Sequence, residues 1–212
     1  MASRWVRRTI CDRAKPVSPA AASSLATGLA FVFVALFSVW HVVPWMRRHP
    51  ATVALMACLW VHALRIVALQ IFSARAAGFH VSLGTARAIA YGDVAAGCLA
   101  MVGVWLLRRR SRVVVTFLWL FIAVAAADLV NATVVGVREN ATDTATDLTW
   151  LILSVYVPIL WATLALAVWQ LATRRRDLAA ARMGEHHPDQ STMDRSPQRG
   201  RADSEIDKEH GR

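Results

Sequence analysis

The sequence predicts an all-α protein, a polytopic membrane helix bundle with five transmembrane helices and a disordered C-terminal tail. Of the 212 residues, 56% are hydrophobic. These residues fall in five blocks of about 20 or more, and about 20 helical residues are needed to cross a hydrocarbon core ~30 Å thick. The charged residues concentrate between the blocks and after the last one, where the loops and tail of such a protein lie.

The chain opens with a basic N-terminal segment, residues 1–24. Its basic residues are Arg4, Arg7, Arg8, Arg13 and Lys15. The segment partly resembles the start of a signal peptide, but the apolar block that follows is too long for one. We therefore predict an uncleaved first span over about 25–46, which ends near Trp40 and Trp45 as an interfacial aromatic belt would.

The five predicted spans together form a bundle over 25–173. The four later spans are predicted at about 51–73, 86–107, 113–136 and 149–173. Pro50 suits the start of the second span, because proline is favoured at the first position of a helix. Thr85 is predicted to cap the third span, and Pro158 is predicted to kink the fifth.

Small residues recur every four positions along the third span. They are Ala88, Gly92, Ala96 and Ala100. This spacing predicts a face on which a neighbouring membrane helix approaches closely.

The last segment, residues 174–212, contains nine basic and eight acidic residues and almost no large apolar ones after Met193. Such a composition buries too little apolar surface to fold alone, so we predict a disordered tail. Its Arg174–Arg176 run and the Arg-rich turns after the first and third spans predict that this side is cytoplasmic. The basic residues of segment 1–24 favour the opposite orientation.

Composition also bears on localisation and partners. The chain has 22 Arg but only 2 Lys, and alanine is abundant, as in proteins from GC-rich bacterial genomes. We therefore predict a multi-pass protein of a bacterial cell inner membrane, with the lipid bilayer as its main partner. The net charge of +10 does not indicate nucleic-acid binding, because the arginines lie where membrane loops carry them. A membrane-protein partner or a homo-oligomer remains open.

One permanent cation, Arg65, lies deep inside the second span. Such a charge costs roughly 2.5–3.5 kcal/mol on insertion scales, so it requires a partner or a polar cavity. Counting depth along the helices places Arg65, Asp93 and Asp128, from three spans, in one leaflet within about one helical turn. These three residues, with further polar residues at similar levels, form a predicted polar cluster of His62, Arg65, Asp93, Asp128, Asn131 and Tyr156.

The cluster has one carboxylate more than Arg65 can neutralise. We expect the surplus carboxylate to be protonated, or to be matched by water or a cation. Two hypotheses follow. Either the cluster is a structural ion pair that fixes helix register in a non-enzymatic protein, or it forms the pathway of a small permease or proton-coupled carrier.

A membrane redox or haem protein is a remote third alternative, because His41 and His62 differ in predicted depth by roughly 8–12 Å. The three cysteines are odd in number and have no CxxC spacing. No cofactor, metal site or catalytic residue is predicted.

Three short stretches carry a family resemblance. They are Trp60–Arg65 (WVHALR), Tyr91–Asp93 (YGD) and Ala127–Ala132 (ADLVNA). They resemble a group of small, uncharacterised bacterial inner-membrane proteins with four or five spans. The resemblance covers about residues 55–170 and implies the same membrane architecture, but it implies no activity.

Overall fold

The fold is all-α, as the sequence predicts. The computed structural model describes residues 19–141, 145 and 147–175, and these contain helices and no strand. Five helices are long and apolar enough to cross a membrane: α1 (Ala21–Arg48), α2 (Ala51–Ala76), α3 (Leu83–Arg108), α4 (Val114–Arg138) and α5 (Leu148–Thr173). Most of the predicted basic N-terminal segment, and the predicted tail beyond residue 175, lie outside the described residues.

Helices α1 and α5 each contain a π-helical segment just before a proline. The segments are Ser38–Val42, followed by Pro44, and Ile152–Tyr156, followed by Pro158. Proline lacks an N–H group, and its ring crowds the carbonyl four residues earlier, so a wider turn accommodates it. The flanking α-helical segments are Pro19–Phe37, Val43–Arg48, Asp147–Leu151 and Val157–Thr173, so the helical winding begins one or two residues before the membrane-crossing lengths given for α1 and α5.

Helix α2 changes its winding in the middle. It is α-helical over Ala51–Ala63, 3₁₀-helical over Leu64–Leu69 and α-helical again over Gln70–Ala76. Its buried residues up to this change recur three or four positions apart, and His62 and Arg65 continue the same inward-facing stripe.

Two helix starts differ from the sequence prediction. The first α-helical segment begins at Pro19 rather than near residue 25, because the run of alanines and serines that follows is helix-compatible although it is only weakly apolar. Helix α3 begins at Leu83, and its N-cap is Ser82, whose Oγ accepts a hydrogen bond from the Thr85 N–H (3.1 Å). The prediction of Thr85 as the cap was therefore wrong by three residues.

Helices α2 to α5 share the core, and α1 packs against the outside of α5. In the most apolar stretch of α1 none of the residues is buried, whereas a third or more are buried in each of the other four helices. The small-residue face of α3 is only partly as predicted. Ala96 and Ala100 are fully buried, but Ala88 is exposed.

The connections divide between two ends of the bundle. At the arginine end lie residues 49–50, residues 109–113 and the end of α5. At the loop end lie residues 77–82, residues 139–141 and the start of α1. Arg174 closes the arginine end, because its Nη1 donates to the carbonyl oxygens of Met46 and His49 (2.9 Å each).

At the loop end, Glu139 at the end of α4 binds the start of α3. Its carboxylate accepts hydrogen bonds from the Thr85 hydroxyl (2.5 Å) and the Ser82 N–H (3.0 Å). These bonds hold the pKa of Glu139 below its ordinary value of 4.5. A negative charge at a helix N-terminus also matches the helix dipole, so Glu139 ties α4 to α3 and stabilises both ends.

We expect Glu139→Gln to lower the Tm of the purified protein at pH 7. The pKa is lowered in the folded state, so the contribution of Glu139 is complete above about pH 4.5 and is lost as the pH falls through the lowered folded-state value. The variant should therefore lose part of the acid sensitivity of the Tm between about pH 5 and pH 3. Arg138→Gln, a charge change at the neighbouring exposed residue, is the control. Equal acid sensitivity in Glu139→Gln and the wild type would contradict the assignment.

Candidate functional site

The candidate site is built around Arg65, which lies in the 3₁₀-helical part of α2 and is only 1% exposed. In a 3₁₀-helix the side chains at i and i+3 eclipse each other. Arg65 and Ala68 therefore share one side of the helix, and both line a partly open cavity between the helices.

Arg65 bridges two carboxylates from two different helices. Its Nε donates to Asp93 Oδ1 in α3 (2.6 Å), and its Nη2 donates to Asp128 Oδ2 in α4 (2.5 Å). Such charge-assisted bonds are short and about twice as strong as neutral ones. We call Arg65, Asp93 and Asp128 the charged triad. It joins α2, α3 and α4 through one guanidinium group.

Gly92 makes room for one member of the triad. A Cβ added at Gly92 would overlap Asp128 Oδ1, which lies directly against the glycine. Asp128 cannot simply turn away from such a Cβ, because its other oxygen is bonded to Arg65. Glycine at position 92 is therefore required by the position of the Asp128 carboxylate.

A second glycine brings α3 close to α2 near the triad. A Cβ at Gly97 would lie 3.4 Å from the carbonyl oxygen of Ala63 and 3.8 Å from the Ile66 nitrogen. The two backbones thus meet where α2 changes from α- to 3₁₀-helix. This close approach, one helical turn beyond Asp93, lets the short aspartate side chain reach Arg65.

His62 is fully buried, but it bonds to α5 rather than to the triad. Its Nε2 lies 3.3 Å from Thr163 Oγ1, and its ring meets Phe121 edge-on with centroids 5.3 Å apart. The Thr163 hydroxyl donates to the Ile159 carbonyl (2.8 Å), which leaves its oxygen to accept from His62 Nε2–H. Nδ1 of His62 has no hydrogen-bond partner among the described residues.

Tyr156 lines the same cavity as Arg65 and Asp93, whereas Asn131 lies on the exposed face of α4. The Tyr156 hydroxyl donates to the Val61 carbonyl in α2 (2.9 Å) and not to the triad. Asn131 is exposed, so its predicted membership of the cluster was wrong. The reason is the helical rotation. Leu129 faces the core, Asp128 lies at the edge of that buried face, and a further three residues turn Asn131 outward.

A partly open cavity of about 250 Å³ extends from the triad toward the loop end. Its lining is mostly apolar and comes from all five helices, and Arg65 and Asp93 are its charged members. Helix α4 shows why the cavity exists. Its inward face is buried as far as Leu129, whereas the inward residues Ala132 and Gly136 line open space.

Among the described residues, no group of three or more His, Cys, Asp or Glu side chains is arranged to hold a metal ion. His41, the second histidine considered for haem, stacks on Phe37 within its own helix, with ring centroids 5.1 Å apart.

Comparison with known proteins gives one match. A family model described as a domain of unknown function, DUF8737, matches residues 22–172. This chain belongs to the DUF8737 family. The matched range of the DUF8737 domain includes the charged triad and reaches from the start of α1 to the end of α5. No curated protein and no solved structure matches the chain.

Gly92→Ala should destabilise this DUF8737 domain by roughly 1–3 kcal/mol, as overpacking does, because the added methyl group displaces Asp128 from Arg65. Gly136→Ala is the matched control in the neighbouring helix. Nothing lies within 4 Å of its Cβ position, so its effect should be neutral or stabilising by about 0.5–1 kcal/mol. Thermal unfolding in detergent compares the two. A Gly92→Ala protein as stable as Gly136→Ala would contradict the close contact.

Proposed function

We propose that this protein is a non-enzymatic, multi-pass protein of a bacterial inner membrane, in which the charged triad fixes the register of three helices. The observation that carries the proposal is the pair of hydrogen-bonded ion pairs that Arg65 forms, one with Asp93 and one with Asp128. Arg65 Nε and Nη2 both bond to side chains of the same chain. These charges therefore match each other without a substrate.

The energetics of buried charges support a register role. Packing without directional bonds tolerates helix sliding, whereas a guanidinium that bonds two carboxylates allows only one relative depth of the helices. A shift of one residue along α3 moves Asp93 by about 1.5 Å and rotates it by about 100°, which breaks its bond to Arg65. Removal of one partner from a buried ion group costs about 3–5 kcal/mol, because the other charges stay buried and unpaired.

Arg65→Ala should therefore sharply reduce the abundance and detergent stability of the protein, by about 3–5 kcal/mol where unfolding is measurable. The neutral triple variant Arg65→Gln/Asp93→Asn/Asp128→Asn should recover much of this loss, because it removes all three charges together. Western blotting of membranes and size-exclusion chromatography measure both effects. Normal abundance of Arg65→Ala would refute the register role, and so would a triple variant as unstable as the single one.

The charge distribution supports an orientation with the arginine end in the cytoplasm. This end carries Arg47 and Arg48, the four arginines of 108–112, and Arg174 and Arg175, whereas the described connections at the loop end and their flanks carry Arg75, Arg87 and Arg138. Cytoplasmic loops of inner-membrane proteins are enriched in Arg and Lys. The many outward-facing apolar side chains of the bundle would then contact lipid, the partner we propose for them.

A fluorescent protein fused after Arg212 should fluoresce in bacterial cells, and alkaline phosphatase at the same site should be inactive. This result follows from an odd number of spans with a cytoplasmic arginine end. A phosphatase fusion after residue 79, in the connection between α2 and α3, should be active and provides the control. Active phosphatase at the C-terminus would reverse the proposed orientation.

A second candidate function is that of a small permease or proton-coupled carrier. The cavity favours it, because the cavity reaches Arg65 and Asp93 from the loop end and a transported solute requires such a space. In this alternative, the surplus carboxylate of the triad would pair with the solute or with a proton.

A further inference from the structure

The cavity lies where the regular packing of the bundle stops. In α4, Ala125 is fully buried and Leu129 is 2% exposed, but Ala132 and Thr133, one turn later, line the cavity. Helix α1, whose most apolar stretch has no buried residue, covers one side of the cavity with Thr27 and Phe31. A space of about 250 Å³ between helices is larger than the cavity of about 150 Å³ that holds a benzene molecule in other proteins.

The charged floor of the cavity presents a carboxylate rather than a guanidinium. The Arg65 side chain is 0% exposed; its Nε and Nη2 are bonded to carboxylates, and its Nη1 is buried without a hydrogen-bond partner among the described residues. The Asp93 side chain keeps 13% exposure and lines the cavity. An occupant therefore meets a hydrogen-bond acceptor that carries negative charge.

The number of charges in the triad indicates which charge a bound molecule would carry. With both carboxylates ionised, one guanidinium leaves the triad with one surplus negative charge, and a buried surplus charge is costly unless it is matched. An anionic occupant would add a second unmatched charge. A neutral apolar occupant would fill the space and leave the surplus charge as it was, whereas a monocation would balance it.

The walls of the cavity fit an apolar body with a cationic head. Four aromatic side chains line it: Phe31, Phe79, Tyr156 and Trp161. Aromatic faces attract organic ammonium groups within about 6 Å, and most strongly where water is excluded. The remaining lining is largely aliphatic, which selects against strongly hydrated metal cations.

We propose that the cavity is a binding site for a small lipophilic monocation, an organic ammonium whose charge is matched by Asp93 and whose apolar body contacts the aromatic walls. The proposal names a ligand class for the carrier alternative and does not depend on the register role of the triad. Binding alone is claimed, and transport would be a further property of the same site.

Benzyltrimethylammonium is a suitable probe, because it is small, aromatic and permanently charged. The test uses the full chain in phosphatidylcholine nanodiscs, with isothermal titration calorimetry and empty nanodiscs as the blank. We expect saturable binding at one site. Benzyl alcohol, which is neutral, and benzenesulfonate, which is anionic, should each bind at least tenfold more weakly.

Ala132→Leu and Ala123→Leu are matched variants in α4. Ala132 lines the cavity, so leucine there should weaken binding of benzyltrimethylammonium at least tenfold. Ala123 is exposed on the outward face, so leucine there should leave the Kd unchanged. Asp93→Asn should also weaken binding tenfold or more. If the Asp93→Asn protein does not accumulate, the Kd of Ala132→Leu tests the binding site instead.

Absence of saturable binding would overturn the proposal, as would equal binding of benzyl alcohol, preferential binding of benzenesulfonate, or an unchanged Kd in Ala132→Leu. The register role is tested separately by abundance. If the cation does not bind and Arg65→Ala still fails to accumulate, the binding site is refuted and the register role stands.

Discussion

One guanidinium group, bonded to two carboxylates, sets how α2, α3 and α4 lie against each other. A cation in the middle of an apolar helix must be matched where it lies, since moving it to the surface would require moving the helix. Asp93 and Asp128 reach Arg65 from α3 and α4. The close backbone approach at Gly97 and the space left by Gly92 then follow, because short aspartate side chains require the helices to be near each other.

The triad also separates two differently built halves of the bundle. Toward the arginine end, α2, α3 and α4 pack closely through residues such as Leu59, Gly103 and Leu118, and Arg174 caps the neighbouring carbonyl groups. Toward the loop end, the interior opens into the cavity, and Glu139 holds α3 and α4 together at their ends. The chemistry that we propose for ligand binding is thus confined to the half that is less closely packed.

Much of this architecture could be predicted from the sequence. Five apolar blocks predict five membrane helices, because each block is long enough for a helix to cross the hydrocarbon core of a bilayer. The structure confirms the all-α fold and contains five helices of this length. Depth counting predicted Arg65, Asp93 and Asp128 at one level, since the rise per residue is fixed along any helix. The start of α3 was missed by three residues, because Ser82 and Thr85 are both good caps and only the surrounding contacts choose between them.

Other features could not be predicted, because they depend on rotation and winding rather than on depth. Asn131 lies at the expected height, but the edge position of Asp128 turns it outward. The 3₁₀-helical winding around Arg65 has no signal in the sequence. Whether His62 faces the triad or α5 depends on which helices become neighbours, and its hydrogen-bond partner Thr163 lies in α5, 101 residues further along the chain. The requirement for glycine at position 92 appears only when the Asp128 carboxylate is in place.

An experimental structure of the protein in lipid nanodiscs, at a resolution that shows side chains, would test the charged triad directly. The decisive distances are those from Arg65 Nε to the Asp93 carboxylate and from Arg65 Nη2 to the Asp128 carboxylate. We expect both to be within ordinary hydrogen-bonding distance, about 2.7–3.2 Å. If either carboxylate pointed away from Arg65, one guanidinium group would not join the three helices.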